Sequence, residues 1–335
     1  MIDPVTGFAY PESWTEKCRD EKALAAAKSG FGLLTSTGAV LRRGFTTGST
    51  AAAACYAAVA SLAFPVASAP ILLPCGILAE IPAVGKDGEG SARKFSGDYP
   101  NDITAGILIC ATATPADEIS LETGDGVGRF VRETPRYQKG AAAVSPPAKK
   151  EILDAISSAC RAAGIAGASV LLTIPDGRRI GAMTLNPKVG IEGGISVVGT
   201  TGFVEPWDDH LSETVSERIA EAKNVVITTG RIGLRYSRLL FPDYEVILAG
   251  SKIAESLSAA ANCEHAVICG LPGLILRFFH PEVATSRGFP TVEELIAGPD
   301  GESVLAEELT AVKQKYPWLR IVIVDREGQV LGDTQ

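Results

Sequence analysis

An α+β domain followed by a doubly wound α/β domain is the fold class that the sequence predicts, on three observations. The chain has 335 residues, more than one typical core accommodates. Up to about residue 220 its apolar runs are short and set between glycine and proline: APILLPCGILAEIPA, TAGILICATAT, GASVLLTIPDG and GGISVVGTTGFV. These read as strands of a mostly antiparallel sheet with helices at 51–63 and 146–163 laid on it. Beyond residue 220 the rhythm changes. NVVITTGRIGLRYSRLLF, YEVILAGSKIAESLSAAA, HAVICGLPGLILRFF and RIVIVDREGQ alternate buried strands with helical segments, the pattern of a parallel sheet. The expected divisions are a lead-in at 1–38 with helical character and a hairpin, an α+β domain at 39–220, and an α/β domain at 221–335.

The first element that carries chemistry is LRRGFTTGSTAAAACYAAVASL, residues 41–62. Gly44 and Gly48 let the backbone turn, Thr47, Ser49 or Thr50 can cap a new helix, and Ala51 to Ala60 propagate it. A helix start presents free N–H groups and the positive end of its dipole, so it favours anions, and Arg42 and Arg43 strengthen that preference. A well-capped helix packed closely on a sheet accounts for the same residues. Further on, LETGDGVGRFVRETPRYQKG (121–140) sets glycines around Asp125 and follows them with Arg129, Arg132, Arg136 and Lys139. It reads either as a loop whose backbone approaches a ligand or as a glycine turn with a solvated basic stretch. The stretch NPKVGIEGGISVVGTTGFVEPW (186–207) holds more glycine than two hairpins demand, and its Thr-Thr-Gly echoes the one at 46–48.

In the second half, the strand VVIT runs into Thr229-Gly230-Arg231-Ile232-Gly233 and then a helix. Glycine at the first strand-to-helix turn of an open α/β sheet permits close approach of a cofactor. The full dinucleotide fingerprint is missing, and the next strand ends in Gly250-Ser251-Lys252 rather than an acidic residue, so a tight turn without a ligand fits equally well.

Composition bounds the partners. The seven cysteines contain no C-x-x-C pair, and His210, His265 and His280 are scattered, so neither a disulfide framework nor a protein-bound metal is expected. A formal charge of −8 opposes broad nucleic-acid binding while leaving room for a local basic pocket. No apolar run reaches the length of a membrane span, and the first residues lack the basic and apolar regions of a signal peptide, so the expected compartment is the cytoplasm.

The order RRGFTTGSTAAAA, GDGVGR, NPKVGIEGGISVVGTTGFVEP and TTGRIG resembles the cobalt-precorrin-5B methyltransferase family, CbiD, over roughly residues 40–260. The resemblance implies an N-terminal α+β domain and a Rossmann-like C-terminal one. It implies transfer of a methyl group from S-adenosylmethionine to carbon 1 of a cobalt-containing tetrapyrrole in anaerobic cobalamin synthesis, giving cobalt-precorrin-6A, with the cobalt belonging to the substrate. Two stretches depart from it: GAAAVSP (140–146) stands where relatives commonly have Gly-Glu-Pro-Ala-Ile-Asn-Pro, and 269–289 lacks their His-Ile-Gly-Lys and Asn-Thr-His-Ser segments.

Precorrins are ringed by carboxylates, so a binder needs several spaced cationic or N–H-rich positions. Arg42, Arg43, Thr46, Thr47, Gly48, Ser49, Arg129, Thr200 and Thr201 are the expected substrate contacts, and Thr229, Gly230 and Gly233 the expected donor contacts. Asp125 is the expected catalytic carboxylate, ranked as an orienting group above a base because a sulfonium methyl is already activated. A tetrapyrrole carrier, or a nucleotide-dependent phosphotransferase lacking the G-x-x-x-x-G-K-[ST] loop, is the alternative. No nucleic acid or membrane partner is expected; a homo-oligomer or contact with neighbouring pathway enzymes is left open.

Overall fold

The computed structural model describes residues 1–99, 102–133, 137–205, 218–219 and 222–335. Arg136 and His210 lie outside them. Helices and sheets are mixed along the chain, which parts into two compact units, Leu41–Asp208 and a second made of Met1–Val40 with Asp209–Gln335.

In the first unit, α1 (Thr47–Ala60) begins four residues earlier than the alanine run, and its cap is Thr46 rather than Thr47, Ser49 or Thr50. Thr46 keeps the extended backbone of a cap while its side chain accepts the Ser49 N–H, so all three expected caps lie inside the helix. Every residue of α1 is buried. The alanines are explained by what surrounds them. A Cβ on Gly85 would come 2.3 Å from the Ala57 carbonyl oxygen, and one on Gly90 2.3 Å from the Ala54 oxygen, so strand backbone lies directly on helix backbone. Those strands belong to a six-stranded sheet of β1 (Val66–Leu72), β2 (Leu78–Lys86), β3 (Glu89–Arg93), β4 (Leu108–Ala116), β5 (Ser120–Thr123) and β6 (Gly167–Thr173), in the order β1-β2-β3-β4-β6-β5. Only the β5–β6 pairing is parallel.

The second helix, α2 (Pro146–Ala163), has Ser145 as its cap, proline in its first turn and left-handed Gly164 after its end. The run GGISVVGTTGFV, expected as a strand of the main sheet, forms instead two short pieces outside it. Gly194–Ile195 pairs with Gly126–Val127, and Phe203–Val204 with Gly44–Phe45. Its left-handed Gly193 and Gly202 break any longer ladder.

In the second unit, β7 (Asn224–Thr228), β8 (Glu245–Leu248), β9 (His265–Gly270), β10 (Leu319–Val324) and β11 (Val330–Asp333) form one sheet in the order β8-β7-β9-β10-β11, parallel except for β11. Among the described residues from Asn224 onward the helices are α3 (Gly230–Leu240), α4 (Ile253–Ala260), α5 (Pro272–Phe279), α6 (Val292–Ala297) and α7 (Gly301–Lys315). The nearly unbroken apolar strands follow from cover on both faces. The lead-in is built into this unit. Phe8 packs on Tyr236 at 5.4 Å between centroids, and the Ser36 N–H and hydroxyl donate to the Leu239 and Leu240 carbonyls, which end α3 without intrahelical partners.

Candidate functional site

Within Leu41–Asp208 the glycine loops meet one another. A Cβ on Gly126 would lie 1.8 Å from the Ile174 oxygen, one on Gly177 2.1 Å from the Gly126 oxygen, and one on Gly194 2.0 Å from that same oxygen. The glycines are therefore required by backbone packing on backbone around the short helix Gly177–Met183. This framework carries a cavity of about 330 Å³ lined by Thr123, Asp125, Arg129, Arg178, Glu192 and Gly193 among others. Arg178 Nε donates to Asp125 at 2.6 Å, with both side chains well exposed, a geometry that fixes orientation and adds little stability. Arg129 donates to the Gly140 carbonyl at 3.1 Å and the Thr123 carbonyl at 2.9 Å. Two guanidiniums, two carboxylates and an open glycine edge can bind an anionic ligand through its carboxylates while presenting an acceptor beside it.

The other expected substrate residues gather at the start of α1, joined to the cavity through 190–202. Thr47 Oγ1 donates to the Ser196 carbonyl and accepts the Val198 N–H, Gly48 N–H donates to the Val198 carbonyl, and Ser49 Oγ donates to the Gly202 carbonyl. Thr46 N–H also donates to the Gly202 carbonyl. The two Thr-Thr-Gly loops, 46–48 and 200–202, thus satisfy each other. The expected anion-binding helix start is filled by carbonyl oxygens of this chain, and Thr46, Thr47, Gly48 and Ser49 are buried. Thr200 is exposed; Thr201 Oγ1 accepts the Phe203 N–H.

The paired arginines separate. Arg42 is exposed and grips Asp98 through its backbone N–H, Nε and a terminal nitrogen. Burial works against the Asp98 charge, but the Arg42 hydrogen bonds outweigh it and hold that carboxyl below its usual range. Arg43 is buried, donating from Nε to Glu205 at 3.1 Å and lying 5.8 Å from the Phe203 ring centroid. It is correspondingly unsuited to meet a ligand carboxylate.

Glu151, which the sequence reading missed, is 4% exposed; the Ser49 hydroxyl, which donates to the Gly202 carbonyl, is the polar group beside its carboxylate. Burial pushes its carboxyl up to about 7, with the Ser49 hydroxyl opposing the shift only in part. Its signal was its place on the apolar stripe of α2, with Ala148, Ile152, Ala155 and Ala159.

In the other unit, Thr229 precedes α3 and Gly230 is left-handed at its start. A Cβ on Gly233 would meet Thr228 Oγ1 at 2.4 Å, so this glycine lets the helix pack on its own strand. Among the described residues no group of three His, Cys, Asp or Glu is placed to hold a metal, and no helix is long and apolar enough to cross a membrane.

The CbiD family model matches residues 34–206, which include the start of α1, the Thr-Thr-Gly loops at 46–48 and 200–202 and the Asp125 cavity. The chain belongs to the CbiD family. CbiD relatives named cobalt-precorrin-5B C(1)-methyltransferase extend the likeness beyond that span. The one from Methanoregula boonei is 51% identical over 100% of both chains, and the one from Methanoculleus marisnigri is 50% identical over 99% of each. The crystal structure of the cobalamin biosynthesis protein CbiD from Archaeoglobus fulgidus matches with a TM-score of 0.56 at 34% identity, covering 97% of this chain and 100% of that one. The stretch at 140–146 has local work in this CbiD chain: the Gly140 carbonyl accepts from Arg129, and Ser145 caps α2.

Proposed function

We propose that this methyltransferase moves the methyl group of S-adenosylmethionine to carbon 1 of cobalt-precorrin-5B, yielding cobalt-precorrin-6A and S-adenosylhomocysteine in the anaerobic cobalamin route. The observation that carries the reading is full-length identity of about half to relatives bearing that name. The sheet order β8-β7-β9-β10-β11 supports a Rossmann-like donor domain in the second unit, since β7 and β9 are the neighbours where the winding reverses and ligands of such sheets gather at that point. Thr229 and Gly230 stand at the carboxyl end of β7, where the donor approaches.

The first unit supplies the tetrapyrrole site. Arg129, Arg42 and Thr200, all exposed, meet the carboxylates of the macrocycle, while the buried Thr46, Thr47, Gly48 and Ser49 hold the loops that shape the site. The bond from sulfur to methyl breaks as the bond to the ring carbon forms, so alignment of donor and acceptor at about 3–3.5 Å supplies most of the acceleration. Asp125, fixed by Arg178, orients the substrate.

Calorimetric titrations with S-adenosylmethionine and with ATP test the reading. The protein is expected to take the first and not the second; binding neither is the behaviour of a carrier, and binding only ATP that of a phosphotransferase. In the same series Asp125→Ala is expected to keep donor affinity and lose about 10²-fold in single-turnover rate through misalignment, with Asp125→Asn much closer to wild type. Equal inactivity of both variants contradicts the orienting role.

A further inference from the structure

A cavity of about 420 Å³ opens in the second unit at the carboxyl ends of β9 and β10, within the size range of small-molecule sites. Leu271 follows β9 directly, Arg326 follows β10, and Glu293 stands in the first turn of α6. Ligands of open α/β sheets bind on this side. Leu271, Leu274 and Pro290 give it an apolar wall, and Leu274 remains 44% exposed. Arg277, one turn along α5 from Leu274, lines the same space and makes no hydrogen bond or ion pair among the described residues. Arg326 and Glu293 form an ion pair at 2.8 Å in its lining. The cavity adjoins the glycine turn after β7, since a Cβ on Gly230 would lie 3.3 Å from Leu274 Cδ1. Much of the wall comes from the connection after β9 and from α5.

We propose that this cavity holds the methyl donor, with the adenosine against Leu271 and Leu274 and the methionine carboxylate on the Arg277 guanidinium. An unpaired guanidinium beside an exposed apolar wall matches a ligand that joins a flat heteroaromatic body to a carboxylate, and Glu293 supplies an acceptor for a ribose hydroxyl or the ammonium. This inference rests on the methyl-transfer reading and deepens it. It moves the principal donor contacts from the Gly230 turn to α5 and the start of α6.

The test is calorimetric titration of the full-length chain with S-adenosylhomocysteine, which needs no turnover. Arg277→Ala is expected to raise the dissociation constant by about 10–100-fold, as loss of a charge-assisted contact does, and Arg277→Lys to recover part of it. Leu274→Trp, which fills the wall from an exposed position, is expected to abolish binding while leaving the thermal transition in place. Wild-type binding with all three variants unchanged overturns the cavity assignment and leaves the methyl-transfer reading standing. Absence of wild-type binding to both S-adenosylhomocysteine and S-adenosylmethionine overturns both.

Discussion

Arg43→Ala is expected to destabilise the unit Leu41–Asp208 by about 3–5 kcal/mol, whereas Arg42→Ala next to it should cost no more than about 1 kcal/mol. The Arg43 side chain is 0% exposed and its partner Glu205 17%, so deleting the guanidinium takes a close hydrogen-bonded charge from a carboxylate largely shielded from water. The lost packing over Phe203, itself stacked on Phe45 at 5.8 Å, adds to that cost. Arg42, with its side chain 64% exposed, surrenders a surface pair to water instead. Urea unfolding of the two variants against wild type reads the contrast. Equal, small losses would show that Arg43 is not the structural ion pair described, and would return it to the pool of substrate contacts.

Glu151→Gln is expected to change how stability depends on pH. The folded protein raises this carboxyl from an ordinary 4.5 to about 7, so between those values the folded state holds a proton that the unfolded chain has released. Stability conferred by that proton is complete below pH 4.5 and is lost as pH rises toward 7. Above 7 the buried carboxylate carries its full penalty, on the order of 3 kcal/mol. An amide at this position cannot ionise, so the variant should gain on wild type by about that amount between pH 4.5 and 8, read as the difference in urea midpoints at the two ends. Parallel pH profiles would mean that Glu151 is solvated or paired in solution. The amide carries its own unsatisfied groups, so the decisive quantity is the change with pH and not the stability at either end.

The stretch at 41–62 shows how far the sequence was legible. Its helix, its small residues and a cap among hydroxyls followed from local rules, because capping and propensity act over three or four residues. Its partners did not. The carbonyls of Val198 and Gly202 that fill the helix start come from about 150 residues away, and nothing in the local pattern distinguishes a helix start facing a ligand from one facing its own chain. The same holds for Gly126, Gly177 and Gly194, legible as sites of close approach but not as approaching one another. Arg42 and Arg43 are adjacent and chemically identical, yet one side chain lies in water beside Asp98 and the other is buried beside Glu205. In the second unit, alternation of buried strands and helices announced a parallel sheet. The cavity beside Arg277 and Leu274 was hidden because its walls come from separate strand-to-helix connections, each unremarkable alone.

Methyl transfer to a ring carbon is open to a direct isotopic test. The protein is incubated with S-adenosylmethionine carrying a ¹³C-labelled methyl group and with cobalt-precorrin-5B, and the tetrapyrrole is recovered for mass spectrometry and carbon NMR. The expected product is heavier by one labelled methyl, with the label bonded to carbon 1, and S-adenosylhomocysteine forms in equal amount. Recovery of unlabelled tetrapyrrole from a protein shown to bind both ligands, or a label on another ring position, would contradict it.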